Sequence, residues 1–257
     1  MLPLPSAGPD RGGPISADPI SADPFSADVA GVTPAGVDLA TTVVVQLADQ
    51  APTRAGDHQR LVALVGRVTG VDPAAVTLDR VCPNCGESGH GPLRVGFSAA
   101  PDAAPPVHVS LARAGGRLAL AVTAAGTVGI DLESVAELGR SPVADVVLSG
   151  AEARALADLD PGAAEVTVAV VWTAKEAVLK AAGVGLRVDP RDLTVALPGP
   201  AGATAAGWPV LADWPAAPFP PGHVHLLPLA AAAGLVGTVA VVRTDRPALR
   251  MLPAPTR

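Results

Sequence analysis

The sequence predicts an α+β protein made of two similarly sized halves that meet near residue 130. Runs of β-branched and apolar residues typical of strands occur in both halves, and each half contains a segment with helical periodicity. Hydrophobic residues make up 49% of the chain, which is ample for a core, but aromatic residues make up only 2%. We therefore expect a core packed through many small contacts among Ala, Val and Leu side chains.

Residues 1–37 are predicted to form a disordered arm of low complexity. Residues 14–28 consist of three tandem pentapeptides, PISAD, PISAD and PFSAD. Their repeated prolines disfavour helices and sheet ladders, and the segment is too polar to fold alone. The start of the chain lacks the basic region and long apolar stretch of a signal peptide, so we expect a cytoplasmic protein.

The N-terminal half, residues 38–130, is expected to combine strands with one helix. A β-branched run at residues 42–47 indicates a strand, and the apolar spacing at residues 57–69 indicates a helix. Residues 106–111 and 118–123 are predicted to be two strands joined by a glycine–glycine turn.

The C-terminal half, residues 131–257, shows a comparable succession of elements. Ser149 and Glu152 have the spacing of a capping box that begins a helix. The segments expected after it are a helix carrying residues 172–181, a strand near 193–197, a loop rich in Pro, Gly and Ala at 198–221, and two closing strands within 226–242. Proline and glycine interrupt this last apolar run, which favours buried strands over a membrane span.

The chain contains only two lysines, Lys175 and Lys180, against sixteen arginines. An ammonium group is compact and point-like, whereas a guanidinium is a wide planar fork, so lysine suits a position beside a phosphate or a metal-bound carboxylate. In a helix, Trp172, Glu176 and Lys180 would share one face at i, i+4 and i+8. The alternative is a solvated helix surface that carries one Glu–Lys pair.

Asp131 and Glu133 follow an apolar, strand-like run and stand two positions apart. In a strand both side chains face the same side, with their backbones roughly 7 Å apart. Two like charges this close repel each other unless a cation lies between them, and oxygen ligands suit Mg²⁺. The alternative is a pair of solvated acids at the end of a strand.

Together these two motifs resemble the signature of a known family. Residues 128–133, VGIDLE, and residues 172–186, WTAKEAVLKAAGVGL, are similar in residue type, order and spacing to the motifs of the Sfp-type 4′-phosphopantetheinyl transferases. The resemblance covers residues 55–245. It implies the fold of that family, in which two similar α/β subdomains are related by a pseudo-twofold axis.

The resemblance implies an enzyme of the holo-[acyl-carrier-protein] synthase type. Such an enzyme transfers the 4′-phosphopantetheine group of coenzyme A to a serine of an apo acyl or peptidyl carrier protein and releases 3′,5′-ADP. By resemblance, Asp131, Glu133 and Glu176 hold Mg²⁺, and Lys175 and Lys180 neutralise phosphate charge. Glu176 and Lys180 would be catalytic, with either Glu176 or a metal-bound water accepting the serine proton. We expect a monomer that serves polyketide and nonribosomal peptide biosynthesis.

One departure from the family pattern lies upstream, where Ala112 and Arg113 stand at positions that usually hold serine and histidine. Arg113 is therefore a candidate to hold a phosphate of coenzyme A, and Arg60 is a second candidate. The net charge of −6 argues against nucleic-acid binding, and no membrane association is expected. Because carrier proteins are usually acidic, a docking surface must be a local cluster of arginines.

Cys82 and Cys85, with His90 five residues further on, resemble half of a structural zinc site, which needs four ligands. A reduced pair in a tight loop and a reversible disulfide are the alternatives. Two cysteines do not make a secreted disulfide framework. Two other functions therefore stay open: a non-catalytic zinc-knuckle binding module, and a Mg²⁺-dependent phosphatase or nucleotide hydrolase that uses the same carboxylates.

Overall fold

The structure, a computed structural model, describes residues 36–82, 85–98, 106–197 and 209–254. The predicted arm comprises residues 1–37, and its residues 1–35 lie outside the described ranges. The strands in the described ranges are β1 (Thr42–Asp49), β2 (Val76–Val81), β3 (Ser88–Phe97), β4 (His108–Ala114), β5 (Arg117–Thr123), β6 (Thr127–Ser134), β7 (Thr194–Ala196), β8 (Val210–Asp213), β9 (Val224–Pro228), β10 (Leu235–Val242) and β11 (Ala248–Leu252). The α-helices are α1 (Arg54–Thr69), α2 (Val135–Leu138), α3 (Ala144–Val147), α4 (Gly150–Leu156) and α5 (Pro161–Ala181).

The strands form three sheets. Six of them form a mixed sheet in the order β11-β1-β5-β4-β3-β2, in which β1 and β11 are parallel and the other neighbours are antiparallel. A three-stranded antiparallel sheet has the order β6-β10-β9, and β7 pairs with β8. The chain is thus a mixed α+β protein, as the sequence predicts.

The elements stack in four layers. Because side chains alternate along each strand, one face of a sheet packs against one neighbouring layer and the other face against the next. On β5, Leu118 and Leu120 pack into the core beneath α1, whereas Ala119 and Ala121 face the three-stranded sheet. On β6, Ile130 packs into this same core between the sheets, and α5 covers the opposite face of the three-stranded sheet. The order is therefore α1, six-stranded sheet, three-stranded sheet, α5.

Helix α1 begins three residues earlier than the sequence predicts. Its N-cap is Thr53, whose hydroxyl accepts a hydrogen bond from the amide of Gly56. The helix ends at Thr69 because Gly70 adopts a left-handed conformation, with φ of 77°. The apolar periodicity does not reveal the first turn, because that turn precedes the periodic apolar residues and is capped by a single hydroxyl.

Helix α5 is much longer than the predicted segment at residues 172–181. It begins at Pro161, after the N-cap Asp160, whose carboxylate accepts a hydrogen bond from Ala163. Its first half, residues 161–171, contains a single charged residue, Glu165, and so lacks the polar stripe that marks a helix with one exposed face. None of the helices in the described ranges is long and apolar enough to cross a membrane.

The strands predicted at residues 42–47, 106–111 and 118–123 are confirmed as β1, β4 and β5. Strands β2 and β3 are not predicted by the sequence pattern, and β8 lies inside the segment that was interpreted as a loop. The prediction that two strands close the chain is also wrong. A further strand, β11, follows them and pairs in parallel with β1, a contact between distant parts of the chain that local periodicity does not reveal.

Helix α5 crosses β6 at Gly129, next to the carboxylate motif, and the two backbones are in direct contact there. A Cβ atom built on Gly129 would lie 1.9 Å from the carbonyl oxygen of Ala177 and 2.7 Å from the amide nitrogen of Ala181. No side chain fits in that space, so glycine lets the helix backbone rest directly on the strand. This contact sets the height of the later turns of α5 above the strand.

We expect Gly129→Ala to lower the free energy of unfolding by about 2 kcal/mol or more, because the added methyl group must push α5 away from β6. Urea denaturation followed by circular dichroism measures this. Gly222→Ala is the matched control, because a Cβ there meets no atom within 4 Å. Equal stabilities for the two variants would contradict the contact.

Candidate active site

Strand β6 places the two acidic residues of its motif on one face, as the alternation of a strand requires. Asp131 and Glu133 face α5, together with Gly129, while Ile130 and Leu132 pack toward the six-stranded sheet. Both acids lie within the regular antiparallel pairing of β6 with β10. The carboxylates are therefore held by a sheet rather than by a loop at the strand end.

The facing side of α5 supplies the partners of these carboxylates. The ammonium of Lys180 lies 2.6 Å from Asp131 Oδ1, donates to the carbonyl of Ile130 at 3.1 Å, and lies 4.0 Å from the carboxylate of Glu176. The indole of Trp172 donates to Glu133 Oε1 at 3.1 Å. The shared face expected from the i, i+4, i+8 spacing is thus present, and it points at β6.

Burial and mutual repulsion raise the pKa values of these carboxylates and so oppose their simultaneous ionisation. Burial raises the pKa of Asp131 against the opposing attraction of Lys180. Burial and the negative charge of Asp131 raise the pKa of Glu133 to about 7. Burial, with Asp131 again adding to it, raises the pKa of Glu176. Three carboxylates share one lysine, so the cluster has an excess of negative charge when it is ionised.

One oxygen in this cluster lacks a partner. Asp131 Oδ2 is buried and has no hydrogen bond from any described residue. A buried carboxylate oxygen without a partner is costly, and an oxygen-coordinated divalent cation would supply one. The donor set of Asp131, Glu133 and Glu176 consists of oxygens alone, which suits Mg²⁺. These residues therefore fit the metal that the sequence predicts.

Lys175 does not belong to this cluster, and its predicted contact with phosphate is corrected by the structure. Its side chain is fully buried, with Nζ 2.6 Å from Glu152 Oε2 and donating to the carbonyl of Val147 at 2.7 Å. Burial lowers its pKa, and the bond to Glu152 opposes that effect. A lysine held in this way has no access to a ligand.

Glu152 connects several elements in the interior. It completes the predicted capping box with Ser149 and thereby confirms it. Its second oxygen accepts the amide of Val195 on β7 at 2.6 Å. The Lys175–Glu152 pair therefore joins α5 to the start of α4 and to β7, and its role is structural.

A cleft lined by positively charged side chains opens beside Lys180. It has a volume of about 330 Å³, and its walls come from β2, β3, β4, β6, the end of α5 and the glycine-containing turn that follows. The charged and titratable groups along it are those of Arg80, His90, Lys180 and Arg187. A second cavity of about 440 Å³ adjoins it, also contains Lys180, and has an apolar wall that includes Val95, Val107 and Val109.

Arg80 and Arg187 were not identified from the sequence. Arg80 donates to the carbonyl of Gly91 at 2.7 Å, and its pKa is lowered by burial and by the positive charges of Arg113 and Arg54. No carboxylate of the described residues forms an ion pair with Arg80 or Arg187, so both remain available to an anion. The arginines stand far apart in sequence without a periodic pattern, which is why local analysis misses them.

The other two predicted phosphate ligands do not line either cavity. Arg113 is paired with Asp57, with its Nε 2.6 Å from Asp57 Oδ2. Arg60 has one buried guanidinium nitrogen without a hydrogen-bond partner among the described residues. The structure therefore replaces Arg113 and Arg60 with Arg80 and Arg187 as the arginines that face the cleft.

Comparison with known protein families gives one match. The family model described as "4′-phosphopantetheinyl transferase superfamily" matches residues 127–213. This segment begins at β6 and includes α5, so it contains Asp131, Glu133, Glu176 and Lys180. Among curated proteins, none matches the chain. The match supports a transferase of the phosphopantetheinyl superfamily. The cluster of β6 and α5 beside the cleft lies within the matched segment, whereas Arg80 and His90 of the cleft wall lie outside it.

We expect Lys175→Met to lower the free energy of unfolding by about 3 kcal/mol or more, because it leaves Glu152 buried without its cation. Chemical denaturation measures the loss. Arg191→Met is the control: its ion pair with Asp189 is exposed, and it should leave the unfolding midpoint nearly unchanged. A Lys175→Met protein as stable as the control variant would contradict the structural role.

Proposed function

We propose that this protein is an Sfp-type 4′-phosphopantetheinyl transferase that uses coenzyme A to modify a serine of an apo acyl or peptidyl carrier protein. One observation carries the proposal. Asp131 and Glu133 on β6 meet Glu176 and Lys180 on α5 beside a positively charged cleft, within the segment that matches the superfamily. The reaction would place holo-[acyl-carrier-protein] synthase activity in this cleft.

Coenzyme A carries a pyrophosphate, a 3′-phosphate and a pantetheine arm. Arg80, Arg187 and Lys180 offer the cleft three positive charges for its phosphates. The apolar side chains of Leu93 and Val109 line both cavities and suit the less polar part of the pantetheine arm. The arrangement supports a long ligand with anionic groups near Lys180.

Asp131, Glu133 and Glu176 would hold Mg²⁺. When bound, the ion would neutralise charge on the pyrophosphate of coenzyme A. The unpartnered Asp131 Oδ2 and the raised pKa of Glu133 support this assignment, because a cation would relieve both.

In the proposed reaction, the serine oxygen of the carrier protein bonds to the β-phosphorus of coenzyme A. The bond from that phosphorus to the oxygen bridging the two phosphates breaks, and 3′,5′-ADP leaves with the electron pair. Lys180 stabilises the negative charge on the phosphoryl oxygens. Glu176, which lies in this cluster 4.0 Å from Lys180, would accept the serine proton as the general base.

Several further properties belong to the same proposal. We propose two subdomains related by a pseudo-twofold axis, as the resemblance implies. The boundary expected at residue 130 falls inside β6, and β11 joins the six-stranded sheet, so the two subdomains are not the continuous segments 38–130 and 131–257. We also propose a cytoplasmic monomer that activates carrier proteins of polyketide and nonribosomal peptide biosynthesis.

We expect Asp131→Asn to reduce the transfer rate by roughly 100-fold or more, since the variant keeps the size of the side chain but loses its charge. Intact mass of an apo-carrier protein, incubated with coenzyme A and Mg²⁺, measures the transfer. Asp145→Asn on α3, outside both cavities, is the control. Asp131→Asn activity equal to that of the control would contradict the assignment.

A companion incubation separates transfer from hydrolysis. Without an apo-carrier protein, a transferase should release little 3′,5′-ADP from coenzyme A, whereas a phosphatase or nucleotide hydrolase would consume its substrate at an undiminished rate. Steady release of product without an acceptor serine would overturn the proposed function in favour of the hydrolase.

Lys180→Arg should also lower the rate, although it keeps the positive charge. Lys180 contacts both a carboxylate and the carbonyl of Ile130 with one compact nitrogen, and a planar guanidinium cannot make this pair of bonds without displacing the phosphate. A misplacement near 1 Å costs on the order of 100-fold in rate. Steady-state transfer rates check this. A rate within about twofold of the unmodified enzyme would show that Lys180 acts only through its charge.

A further inference from the structure

We propose that Cys82, Cys85 and His90 bind a zinc ion at the rim of the cleft. Their ligand atoms all lie within 4.8 Å of one another, although the three residues span nine positions of the chain. This site is separate from the carboxylates of β6 and α5. It also lies outside residues 127–213, the segment matched by the superfamily.

The distances agree with tetrahedral coordination. A zinc ion bonded to a cysteine sulfur and a histidine nitrogen at ordinary bond lengths holds those two atoms about 3.6 Å apart. In the structure Cys85 Sγ and His90 Nε2 are 3.3 Å apart. This pair of atoms is therefore within about 0.3 Å of the separation that zinc requires.

The backbone of the β2–β3 connection holds the three ligands together. The amide of Gly86 donates to the carbonyl of Cys82 at 2.9 Å, and the amide of Cys82 donates to the carbonyl of Glu87 at 3.0 Å. Gly91 adopts φ of 94°, and a Cβ there would lie 2.7 Å from the carbonyl oxygen of Val81. Glycine at this position thus lets the strand carrying His90 pass close to Cys82.

The chemistry of the ligands selects the class of metal. Two thiolates and an imidazole favour zinc over Mg²⁺, which prefers oxygen ligands. Arg187 donates to Cys82 Sγ at 3.4 Å, a contact that favours the thiolate form needed for metal binding. The three ligands leave a fourth position for water or for Glu87, whose carboxylate lies 3.9 Å from Cys85 Sγ.

Because of its position, a zinc ion at this site would affect residues that line the cleft. His90, Gly91 and Arg187 all line the cleft, and Arg187 also donates to the carbonyl of Gly183 in the turn after α5. A zinc ion would fix His90 and Cys82, and through Cys82 it would orient Arg187. Its influence on coenzyme A binding rests on the proposed function, whereas zinc binding itself does not.

Zinc content of the full-length protein tests the proposal. After reduction, incubation with zinc and removal of unbound metal, we expect about one zinc per chain by elemental mass spectrometry. Cys85→Ser and His90→Gln should each lose most of it. His108→Gln, an exposed histidine on β4 outside the cluster, should retain it. Substitution with Co²⁺ should produce thiolate-to-cobalt absorption in the unmodified protein and in His108→Gln alone.

The proposal is overturned if the unmodified protein takes up no zinc, or if Cys85→Ser binds as much as His108→Gln. It is also overturned if the intact mass of the protein as isolated shows a Cys82–Cys85 disulfide and no metal. These assays measure metal and not transfer. Failure of zinc binding with intact transfer would therefore reject this site alone, and loss of transfer with intact zinc binding would reject the proposed function alone.

Discussion

The candidate active site depends on the direct contact between the backbones of α5 and β6 at Gly129. Because no side chain separates them, the face of α5 that carries Trp172, Glu176 and Lys180 is held over the acids of β6. Trp172 then reaches Glu133, and Lys180 reaches Asp131 at 2.6 Å. A larger residue at position 129 would raise the helix and lengthen these contacts. The steric requirement for glycine at position 129, which involves no polar group, thus sets the distances between the polar groups of the site.

The two lysines of the chain have different environments, although they lie only five positions apart in α5. Lys175 is buried and neutralises Glu152 inside the C-terminal half, where it joins α5 to α4 and β7. Lys180 is partly exposed and borders both cavities. Its ammonium group contacts the carboxylates of both Asp131 and Glu176. Their angular separation on α5 explains the difference, because one points into the core and the other toward β6 and the cleft.

The cleft draws its charge from parts of the chain that are distant in sequence. Arg80 comes from β2, His90 from β3, Lys180 from the end of α5, and Arg187 from the turn beyond it. The chain is acidic overall, with a net charge of −6, so the positive charges of this cleft are a local feature and not part of a field of the whole chain. His90 is itself one of the proposed zinc ligands, and Arg187 donates to another of them, Cys82, so the proposed zinc site adjoins the cleft wall.

The sequence by itself determined the α+β class, the strands β1, β4 and β5, the capping box at Ser149, and the residues that share one face of β6 and one face of α5. These features depend on local periodicity and on residues at fixed spacing, so neighbours in sequence suffice to predict them. Tertiary structure alone decided the burial of Lys175, the pairing of Arg113 with Asp57, the parallel contact of β11 with β1, and the choice of Arg80 and Arg187 for the cleft. Each of these depends on contacts between segments far apart in the chain, because a side chain's partner and its access to solvent are properties of packing that local sequence does not contain.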